Sequence, residues 1–418
     1  MKIAIVVIGD ELLLGQVTDT NSGSIARIAG PEGWHVESVR VVGDNAGDIR
    51  AAIDAAFADA PVVLTTGGLG PTKDDITKAL LADMFGGPLV EDASVLANVR
   101  SIMERRGLSM NALTAAQAMV PASCTVIQNR YGTAPLMWFD SPRGVLVAMP
   151  GVPFETVGMF SETVFPMLRK RFGDNEHRLH RTLITTGVSE SALAERLAQW
   201  EESLPQGMHL AYLPNAGYIR LRLDSSGADE QVLEAETALQ FSKLRELVGD
   251  NLVAVGDLTP AQILLADAQR LGLTIATAES CTGGNIAAAI TAIPGASANF
   301  LGGIVAYSND VKKGLLGVRE ATLAAHGAVS EQTAAEMAAG ACAATGARIA
   351  MATSGIAGPG GGTPEKPVGT VCVAAALRQD DGSFRTVAVT HHFPGNRSRV
   401  VDRAVSAALL LAHSLLKD

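Results

Sequence analysis

Two glycine-rich segments of this 418-residue chain each follow an apolar run that is typical of a buried strand. The first is Thr65–Asp75 (TTGGLGPTKDD) and the second is Thr277–Gly284 (TAESCTGG). In an open α/β sheet, ligands bind beyond the carboxyl ends of the strands. Glycines at such a turn let backbone N–H groups approach an anion, and a helix N-terminus favours negative charge. Both segments are therefore candidate sites for phosphorylated ligands.

The first segment is neither a Walker loop nor a dinucleotide fingerprint, because it lacks the Gly-Lys-Ser/Thr and the GxGxxG spacing. It ends in the adjacent carboxylates Asp74 and Asp75. At a helix N-terminus the two carboxylates would complement the helix dipole. Beside a phosphate they would instead hold a divalent cation, which pyrophosphate chemistry uses. The residues alone leave both interpretations open.

The second segment contains Ser280, whose hydroxyl would lie beside free backbone N–H groups that can form an oxyanion hole. A helix is predicted from about Thr282. The alternative interpretation is that the hydroxyl of Ser280 or of Thr282 only caps the N-terminus of this helix. A serine nucleophile needs a base. Lys312 lies in the first turn of a predicted helix, where the helix dipole lowers the pKa of a lysine and favours the neutral form that a base requires. The alternative is that Lys312 is an ordinary solvated lysine like its neighbour Lys313. Cys281 is typical of a small buried hydrophobic residue.

The elements that must position the first segment alternate between strand and helix patterns, which predicts an α/β domain over residues 1–170. The predicted strands are 2–8, 35–42 and 61–66, followed by a short antiparallel extension at 125–127, 136–139 and 144–148. The predicted helices lie near 20–30, 45–59, 73–85 and 92–106.

Two further domains are predicted. Residues 171–256 begin with a polar, linker-like stretch at 171–180 and form a small α+β domain with a hairpin at Pro214–Gly217. Residues 257–418 form a second α/β domain, whose first helix has Thr259 as its N-cap. Its predicted strands are 273–278, 301–306, 348–354, 368–377 and 384–392. Its later predicted helices are 309–316, 320–326, 330–345 and 396–416.

The motifs of the first domain resemble those of known families. Gly67–Gly70 with Asp75 and Thr77, and Pro150-Gly151-Val152-Pro153, resemble motifs of the molybdopterin-binding family. The fuller string Thr65–Asp75, with Gly9–Gly15 and Asp19–Asn21, resembles the CinA family of competence/damage-inducible proteins. This resemblance extends over the whole chain. It implies a molybdopterin-binding-like α/β domain, a KH-like α+β domain and an α/β amidohydrolase domain.

For the first domain, the CinA resemblance implies a metal-dependent ADP-ribose pyrophosphatase that forms AMP and ribose 5-phosphate. Asp75 and Asp74 are then expected to bind a divalent cation. The nucleotide-binding residues are expected to be Gly67, Gly68, Gly70, Thr72, Asp74 and Thr77.

The third domain resembles nicotinamide mononucleotide deamidases in Ala278–Gly284, Tyr307–Asn309 with Lys312, Ser354–Pro359 and Lys366–Thr370. The resemblance implies a Ser–Lys amidohydrolase without a cofactor, in which Ser280 is the nucleophile, Lys312 is the base and Tyr307 supports the lysine. The expected substrate-binding residues are Thr282, Gly283, Gly284, Ser354, Gly355, Ala357, Gly358 and Arg397. Arg399 and Arg403 are alternatives to Arg397 for the phosphate.

The amino-acid composition restricts the binding partners and the cellular compartment that can be expected. A formal net charge of −10 argues against nucleic acid as the main partner. Four scattered cysteines predict reduced thiols and hence the cytoplasm, and the apolar run Met1–Ile8 is too short to span a membrane. The expected partners are small nucleotides, namely nicotinamide mononucleotide and ADP-ribose, together with a second copy of the chain in a homodimer.

Glycine makes up 43 residues, of which 16 lie between Gly283 and Gly369 and three more within Gly67–Gly70. This distribution suggests that backbone amides, rather than a basic surface, hold the anionic substrates. Gly340 and Gly346 are interpreted as ordinary structure around a helix end.

Two other functions remain open at this stage. One is an interaction protein in competence or DNA repair whose glycine-rich loops only bind a regulatory nucleotide. The other is a molybdopterin-handling enzyme, which the first domain suggests by itself.

Overall fold

The computed structural model describes residues 1–72, 75–173 and 177–417. It divides into two compact units, one formed by Met1–Arg178 with Gly227–Asp229 and the other by the rest of the chain. Each predicted domain contains a sheet of its own, flanked by helices. The predicted α/β class is therefore confirmed.

The first unit is built on a six-stranded sheet in the order β2-β1-β3-β8-β7-β6, with a separate β4-β5 hairpin-like pair. Its strands are β1 (Lys2–Ile8), β2 (His35–Val42), β3 (Val62–Thr66), β4 (Leu89–Glu91), β5 (Met119–Pro121), β6 (Thr125–Ile127), β7 (Leu136–Ser141) and β8 (Gly144–Met149). Its helices are α1 (Asp10–Leu13), α2 (Asn21–Ala29), α3 (Ala46–Asp59), α4 (Thr77–Phe85), α5 (Ala93–Arg105), α6 (Ala112–Ala115), α7 (Pro153–Met159) and α8 (Phe165–Phe172).

Strands β1 and β3 form the centre of this sheet and determine where its ligand edge lies. β1 pairs in parallel with both β2 and β3, and β3 pairs in parallel with β8. Every residue of β3 is buried, as expected for a parallel strand that helices cover on both faces. The predicted antiparallel extension is confirmed, because β7 runs antiparallel to both β8 and β6. The carboxyl ends of β1, β3 and β8 therefore meet at one edge.

The second unit contains a small α+β domain and a larger α/β domain. The small sheet has the order β10-β11-β9-β12, and the larger has the order β14-β13-β15-β16-β17. The smaller domain consists of β9 (His177–Thr185), α9 (Glu190–Glu202), β10 (Met208–Pro214), β11 (Ile219–Gly227), α10 (Glu230–Val248) and β12 (Leu252–Val255). The larger consists of α11 (Pro260–Leu271), β13 (Ile275–Glu279), α12 (Asn285–Thr291), β14 (Phe300–Val305), α13 (Asn309–Leu316), α14 (Glu320–His326), α15 (Glu331–Thr345), β15 (Ile349–Gly355), β16 (Thr370–Arg378), β17 (Phe384–His392) and α16 (Arg397–Leu415).

The larger sheet has two different cores on its two faces. Bulky aliphatic side chains pack one face against α11, α12 and α16, including Ile275, Met351 and Val373. The opposite face carries mainly alanine and packs against α15. Since successive strand residues point to opposite faces, this division follows from the alternation of residue size along β13, β15 and β16. Small side chains allow α15 to lie close to the sheet.

Three predicted boundaries are wrong, one of them being the start of the helix predicted near 73–85, since α4 begins at Thr77. The helix predicted from about Thr282 begins only at Asn285, because Gly283 and Gly284 have φ angles of 61° and 101°, which a right-handed helix excludes. The stretch 171–180 is not a continuous linker, since α8 extends to Phe172 and β9 begins at His177; residues 174–176 lie outside the described residues. Within the described chain, no helix has both the length and the apolar character needed to cross a membrane.

Candidate active sites

The first candidate site lies at the carboxyl end of β13, where Ser280 directly follows the strand. Lys312 Nζ of α13 lies 3.1 Å from Ser280 Oγ, and both side chains are buried, with relative exposures of 1% for Lys312 and 8% for Ser280. Lys312 Nζ also donates to the main-chain oxygen of Ala306 at 2.7 Å. The structure therefore brings together the two residues that sequence reasoning paired as nucleophile and base.

Burial lowers the pKa of Lys312 from its ordinary value. The predicted cause was the position of the lysine near a helix N-terminus, but desolvation is the first cause, and the N-terminus of α13 is capped by Ser308 Oγ. A lower pKa increases the neutral fraction of the amine at a given pH. A neutral amine at 3.1 Å is placed to accept the proton of the Ser280 hydroxyl.

Glu279, the last residue of β13, was missed by the sequence analysis. Its buried carboxylate accepts hydrogen bonds from the backbone N–H groups of Gly284, Ile286 and Ala287 at 2.9–3.0 Å. A buried carboxylate is tolerated when it accepts several such bonds at a helix N-terminus. The signal in the sequence was an acidic residue just before a glycine turn and a helix.

This cap changes the expectation for Gly283 and Gly284. They were predicted to cradle the ribose phosphate with helix-start N–H groups, but Glu279 already occupies the N–H of Gly284 and those of the first turn of α12. The N–H of Gly283 donates to Ser280 O at 3.1 Å. Both N–H groups thus have partners within the protein, and contact of Gly283 and Gly284 with a substrate stays a prediction.

The remaining donors beside Ser280 are the N–H groups of Cys281 and Thr282. The N–H of Ser280 itself donates to Thr353 O at 3.0 Å. In the described part of the chain, no acceptor takes the N–H groups of Cys281 and Thr282. The Thr282 hydroxyl lies 2.7 Å from the Thr353 hydroxyl, so it connects the turn to β15. These two N–H groups are the available oxyanion donors.

Cys281 is not suited to act as the nucleophile. It is buried, and burial raises the pKa of its thiol to about 11. At neutral pH the thiol is protonated, and the thiol form is a poor nucleophile.

Tyr307 does not contact Lys312 as expected. It is 62% exposed, and its hydroxyl accepts a hydrogen bond from Arg397 Nη2 at 2.9 Å. Arg397 Nη1 also donates to Gly358 O at 2.8 Å. The predicted support of the lysine is wrong, because Ala306 O holds the ammonium instead. Arg397 thereby joins Tyr307 to the glycine-rich loop.

The arginines near the start of α16 can now be ranked for the phosphate. Arg397 is exposed, and its charge acts on the thiol of Cys281, which adjoins the nucleophile. Arg403 Nη1 instead donates to Pro394 O at 3.4 Å, and Arg399 contributes its main-chain N–H to the Asn396 cap. Arg397 is therefore the better candidate for an anionic substrate group.

Three other predicted substrate contacts have structural roles. The buried Ser354 hydroxyl donates to Ala328 O at 2.6 Å. Gly355 pairs with Val371 in the β15–β16 ladder, and Ala357 is part of the apolar core. These positions support the loop that carries Gly358, and the side chains of Ser354 and Ala357 are engaged within the protein.

The second candidate site is a cavity of about 760 Å³ at the ligand edge of the first sheet. It is lined by Thr66–Thr72 and by the Pro150–Pro153 turn. In the described residues, no acceptor takes the backbone N–H groups of Gly68 and Leu69. Gly67 has φ 107° and its N–H donates to Met149 O, so it forms the turn without offering that donor. Thr77 is fully buried and packs against Gly68.

Asp75 closes this loop upon itself. Its carboxylate accepts from the backbone N–H groups of Gly70 and Thr72 and from the Thr72 hydroxyl at 2.5–2.8 Å. Asp74 lies outside the described residues. Among the residues that the structure describes, no three His, Cys, Asp or Glu side chains are grouped as a metal site needs. The described residues therefore do not fit the predicted divalent cation, and we derive no step through one.

Carboxylates line another part of the same cavity, including Asp10, Glu11, Asp19 and Asp44. Burial raises the pKa of Asp44, although a backbone N–H bond from Asp10 opposes this, and the negative charges of Asp10, Glu11 and Asp75 raise it further. Such an acidic surface suits the hydroxyl groups of a ligand. The cavity thus has an acidic part and a part with free backbone donors.

Comparisons with known families divide the chain into three regions. Residues 4–170 match the probable molybdopterin binding domain, residues 180–254 match the KH domain of damage-inducible protein CinA, and residues 258–416 match the CinA C-terminal domain.

Relatives match this chain over almost its whole length. A CinA-like protein from Gemmatimonas aurantiaca is 43% identical over 412 residues, which cover 98% of this chain and 95% of the relative. One from Chloroherpeton thalassium is 42% identical over 421 residues, covering 100% and 99%. A solved structure of the competence/damage inducible protein CihA from Agrobacterium tumefaciens is 43% identical and covers 38% of this chain and 94% of its own, with a TM-score of 0.35.

Proposed function

The chain belongs to the CinA family, and we propose that its C-terminal domain hydrolyses nicotinamide mononucleotide to nicotinate mononucleotide and ammonia. The observation that carries this proposal is the buried contact between Ser280 Oγ and Lys312 Nζ. Burial of a lysine ammonium without a carboxylate partner lowers the stability of the fold and favours the neutral amine, which can act as a base. Because Ser280 Oγ lies within hydrogen-bond distance of this amine, Lys312 can take the proton of the serine hydroxyl.

The reaction follows from these positions. Lys312 accepts the Ser280 proton while Oγ attacks the carboxamide carbon of the substrate. The negative charge that develops on the carboxamide oxygen is stabilised by the N–H groups of Cys281 and Thr282. Lys312 then gives its proton to the departing nitrogen, which leaves as ammonia. Water, deprotonated by the same lysine, attacks the acyl carbon and releases Ser280 and the carboxylate product.

Arg397 supports a nucleotide as the substrate. Its guanidinium is held by Tyr307 and Gly358 but stays exposed, so it can pair with the phosphate of a nicotinamide nucleotide. No cofactor is needed for this acyl transfer. A nucleotide hydrolase whose four cysteines are free would work in the cytoplasm, and that location is part of the proposal.

The deciding experiment measures ammonia released from nicotinamide mononucleotide by the wild type, Ser280→Ala and Lys312→Ala. Both variants should lose nearly all activity, whereas Lys313→Ala on the same helix should keep it. Full activity in either Ser280→Ala or Lys312→Ala would remove the proposed pair. Binding of the nucleotide by the wild type without turnover would favour the alternative, a nucleotide-binding interaction protein in competence or DNA repair.

A second candidate function belongs to the first domain, for which we propose hydrolysis of ADP-ribose to AMP and ribose 5-phosphate. It is supported by the cavity of about 760 Å³ and by the free N–H groups of Gly68 and Leu69, which suit a pyrophosphate. AMP formation should be measured with and without added Mg²⁺. Absence of turnover under both conditions would leave a binding domain, and molybdopterin would then be the ligand to test.

A further inference from the structure

Gln117 and Lys78 form a buried pair beside the cavity of the first domain, and neither was assigned a role above. Gln117 lines the cavity, although its side chain is only 2% exposed. Lys78, on α4, is 8% exposed. Its Nζ donates to Gln117 Oε1 at 3.0 Å and to the main-chain oxygen of Gln117 at 2.9 Å. The ammonium thus binds both the main chain and the side chain of Gln117.

This contact fixes the orientation of the amide. An ammonium group has donors only, so it must face the carbonyl oxygen of Gln117 and not the amide nitrogen. The amide NH₂ is thereby left on the other side of the group. Across the described part of the chain, no acceptor takes Gln117 Nε2. Because Gln117 lines the cavity, this amide N–H group is available to a ligand or to water.

Neighbouring groups in the cavity wall are of the same kind. Thr66 Oγ1 at the end of β3 is buried and has no hydrogen-bond partner among the described residues. The N–H groups of Gly68 and Leu69 follow directly in the chain. This part of the cavity therefore offers donors, whereas the part near Asp10 and Asp44 offers acceptors. A group with several acceptor oxygens and no donors, such as a phosphate, fits the donor part.

We propose that Gln117 Nε2 donates to a phosphate oxygen of the ligand in the first domain, and that Lys78 is the positioning residue that fixes the amide for this purpose. The proposal rests on the proposed binding of a nucleoside diphosphate sugar by this domain. The positive charge of Lys78 lies behind the amide and adds to its attraction for an anion. The pair thereby links α4 to the segment 116–118 and to the ligand.

The direct test is calorimetric titration of ADP-ribose into the full chain at pH 7. Gln117→Glu has nearly the same shape and strengthens the contact with Lys78, but it replaces the donor with an acceptor. We expect its affinity to fall at least about tenfold, since a carboxylate oxygen, which only accepts hydrogen bonds, then faces the phosphate oxygens. Gln117→Met removes the donor without adding charge, and it serves if the Glu variant fails to fold. Ammonia release from nicotinamide mononucleotide should be unchanged in both variants.

The role of Lys78 has its own readout. Burial lowers the pKa of Lys78 to about 8. The titratable groups that act on it are Asp75, which raises this pKa, and Cys124, a thiol whose own pKa burial raises to about 11, so that it is neutral at pH 7. Above about pH 8 a neutral amine no longer dictates the amide orientation, so wild-type affinity should decline. Lys78→Met should bind more weakly at pH 7 and lack this decline.

The outcomes separate the two claims. If the wild type does not bind ADP-ribose, the proposed function of the domain is wrong and this inference falls with it. If the wild type binds but Gln117→Glu and Gln117→Met bind equally well, the domain function stands and the inference is overturned. If affinity falls in the Gln117 variants while Lys78→Met binds like the wild type, with the same decline above pH 8, Lys78 has no positioning role.

Discussion

Lys312 Nζ and Ser280 Oγ lie 3.1 Å apart although 32 positions separate the two residues in the chain. The parallel pairing of β13 with β14 sets Glu279 opposite Val305, so the two strands end side by side. Ala306 then donates its N–H to Glu279 O at 2.8 Å and offers its own oxygen to Lys312. The sheet therefore brings the nucleophile and the base together, and Ala306 O holds the amine within reach of the serine.

Activity is expected to rise with pH through the lowered pKa of Lys312, because only the neutral amine can accept the serine proton. Lys312→Arg should be inactive over the whole pH range, since a guanidinium is not deprotonated in proteins. The measurement is kcat/KM for ammonia release as a function of pH. An Arg variant with a wild-type profile would contradict the role of the lysine.

The same lysine should make the protein less stable. Its pKa is lower in the folded than in the unfolded chain, so the unfolded chain binds more protons between the two values and stability rises with pH over that window. Lys312→Met keeps most of the buried volume and removes the charge. It should raise Tm at pH 7 while abolishing activity, and its advantage should shrink as the pH rises. Thermal unfolding at several pH values, compared with Lys313→Met, measures this.

Glu279→Gln should lower kcat more than it changes KM. The amide keeps one acceptor oxygen where the carboxylate takes three backbone N–H groups, so the turn that carries Ser280 loses part of its cap. We expect the free energy of unfolding to fall by about 1–3 kcal/mol, the range for a buried hydrogen-bonding group that loses its partner. The exposed Glu246→Gln is the control. Equal stability of the two variants would show that the cap does not matter.

The fold was largely predictable because strand and helix periodicity is a local property of the sequence. The buried run of β1 and the parallel strands around it were found in this way, as was Thr259 as the cap of α11. Glu279 was missed because its partners are backbone groups, which carry no residue-specific signal. Tyr307 was misassigned because its contact with Arg397 joins residues 90 positions apart. Long-range contacts of this kind depend on packing that periodicity does not specify.

Arg397→Met should raise the KM for nicotinamide mononucleotide and leave the hydrolysis of nicotinamide riboside, which lacks the phosphate, nearly unchanged. Removal of a charge-assisted hydrogen bond at a partly exposed site corresponds to about a tenfold change in affinity. Arg403→Met, which removes a nearby arginine on the same helix, is the matched control. If Arg397→Met raises the KM for the nucleotide and for the riboside equally, the arginine orders the loop through Gly358 and does not bind the phosphate.

Gly340 and Gly314 both lie in helices of the third domain, but their surroundings differ. An added Cβ at Gly340 would overlap the main-chain oxygen of Leu316, at the end of the helix that carries Lys312, whereas one at Gly314 meets no atom within 4 Å. Gly340 therefore has a structural role, as the sequence analysis interpreted it, but it lies within α15 instead of at a helix end and sets how closely α13 approaches.

Gly340→Ala and Gly314→Ala should therefore have opposite effects on stability. Gly314→Ala should stabilise the protein by about 0.4–1 kcal/mol, by reducing the freedom of the unfolded chain. Gly340→Ala should destabilise it by about 1–3 kcal/mol, because backbone atoms must move to remove the overlap. Since that displacement moves Lys312 relative to Ser280, Gly340→Ala should also lower kcat, while Gly314→Ala should keep it. Chemical denaturation and ammonia release, measured on both variants, test these expectations. A Gly340→Ala protein with lowered stability but full kcat would mean that the position of α13 does not limit the reaction.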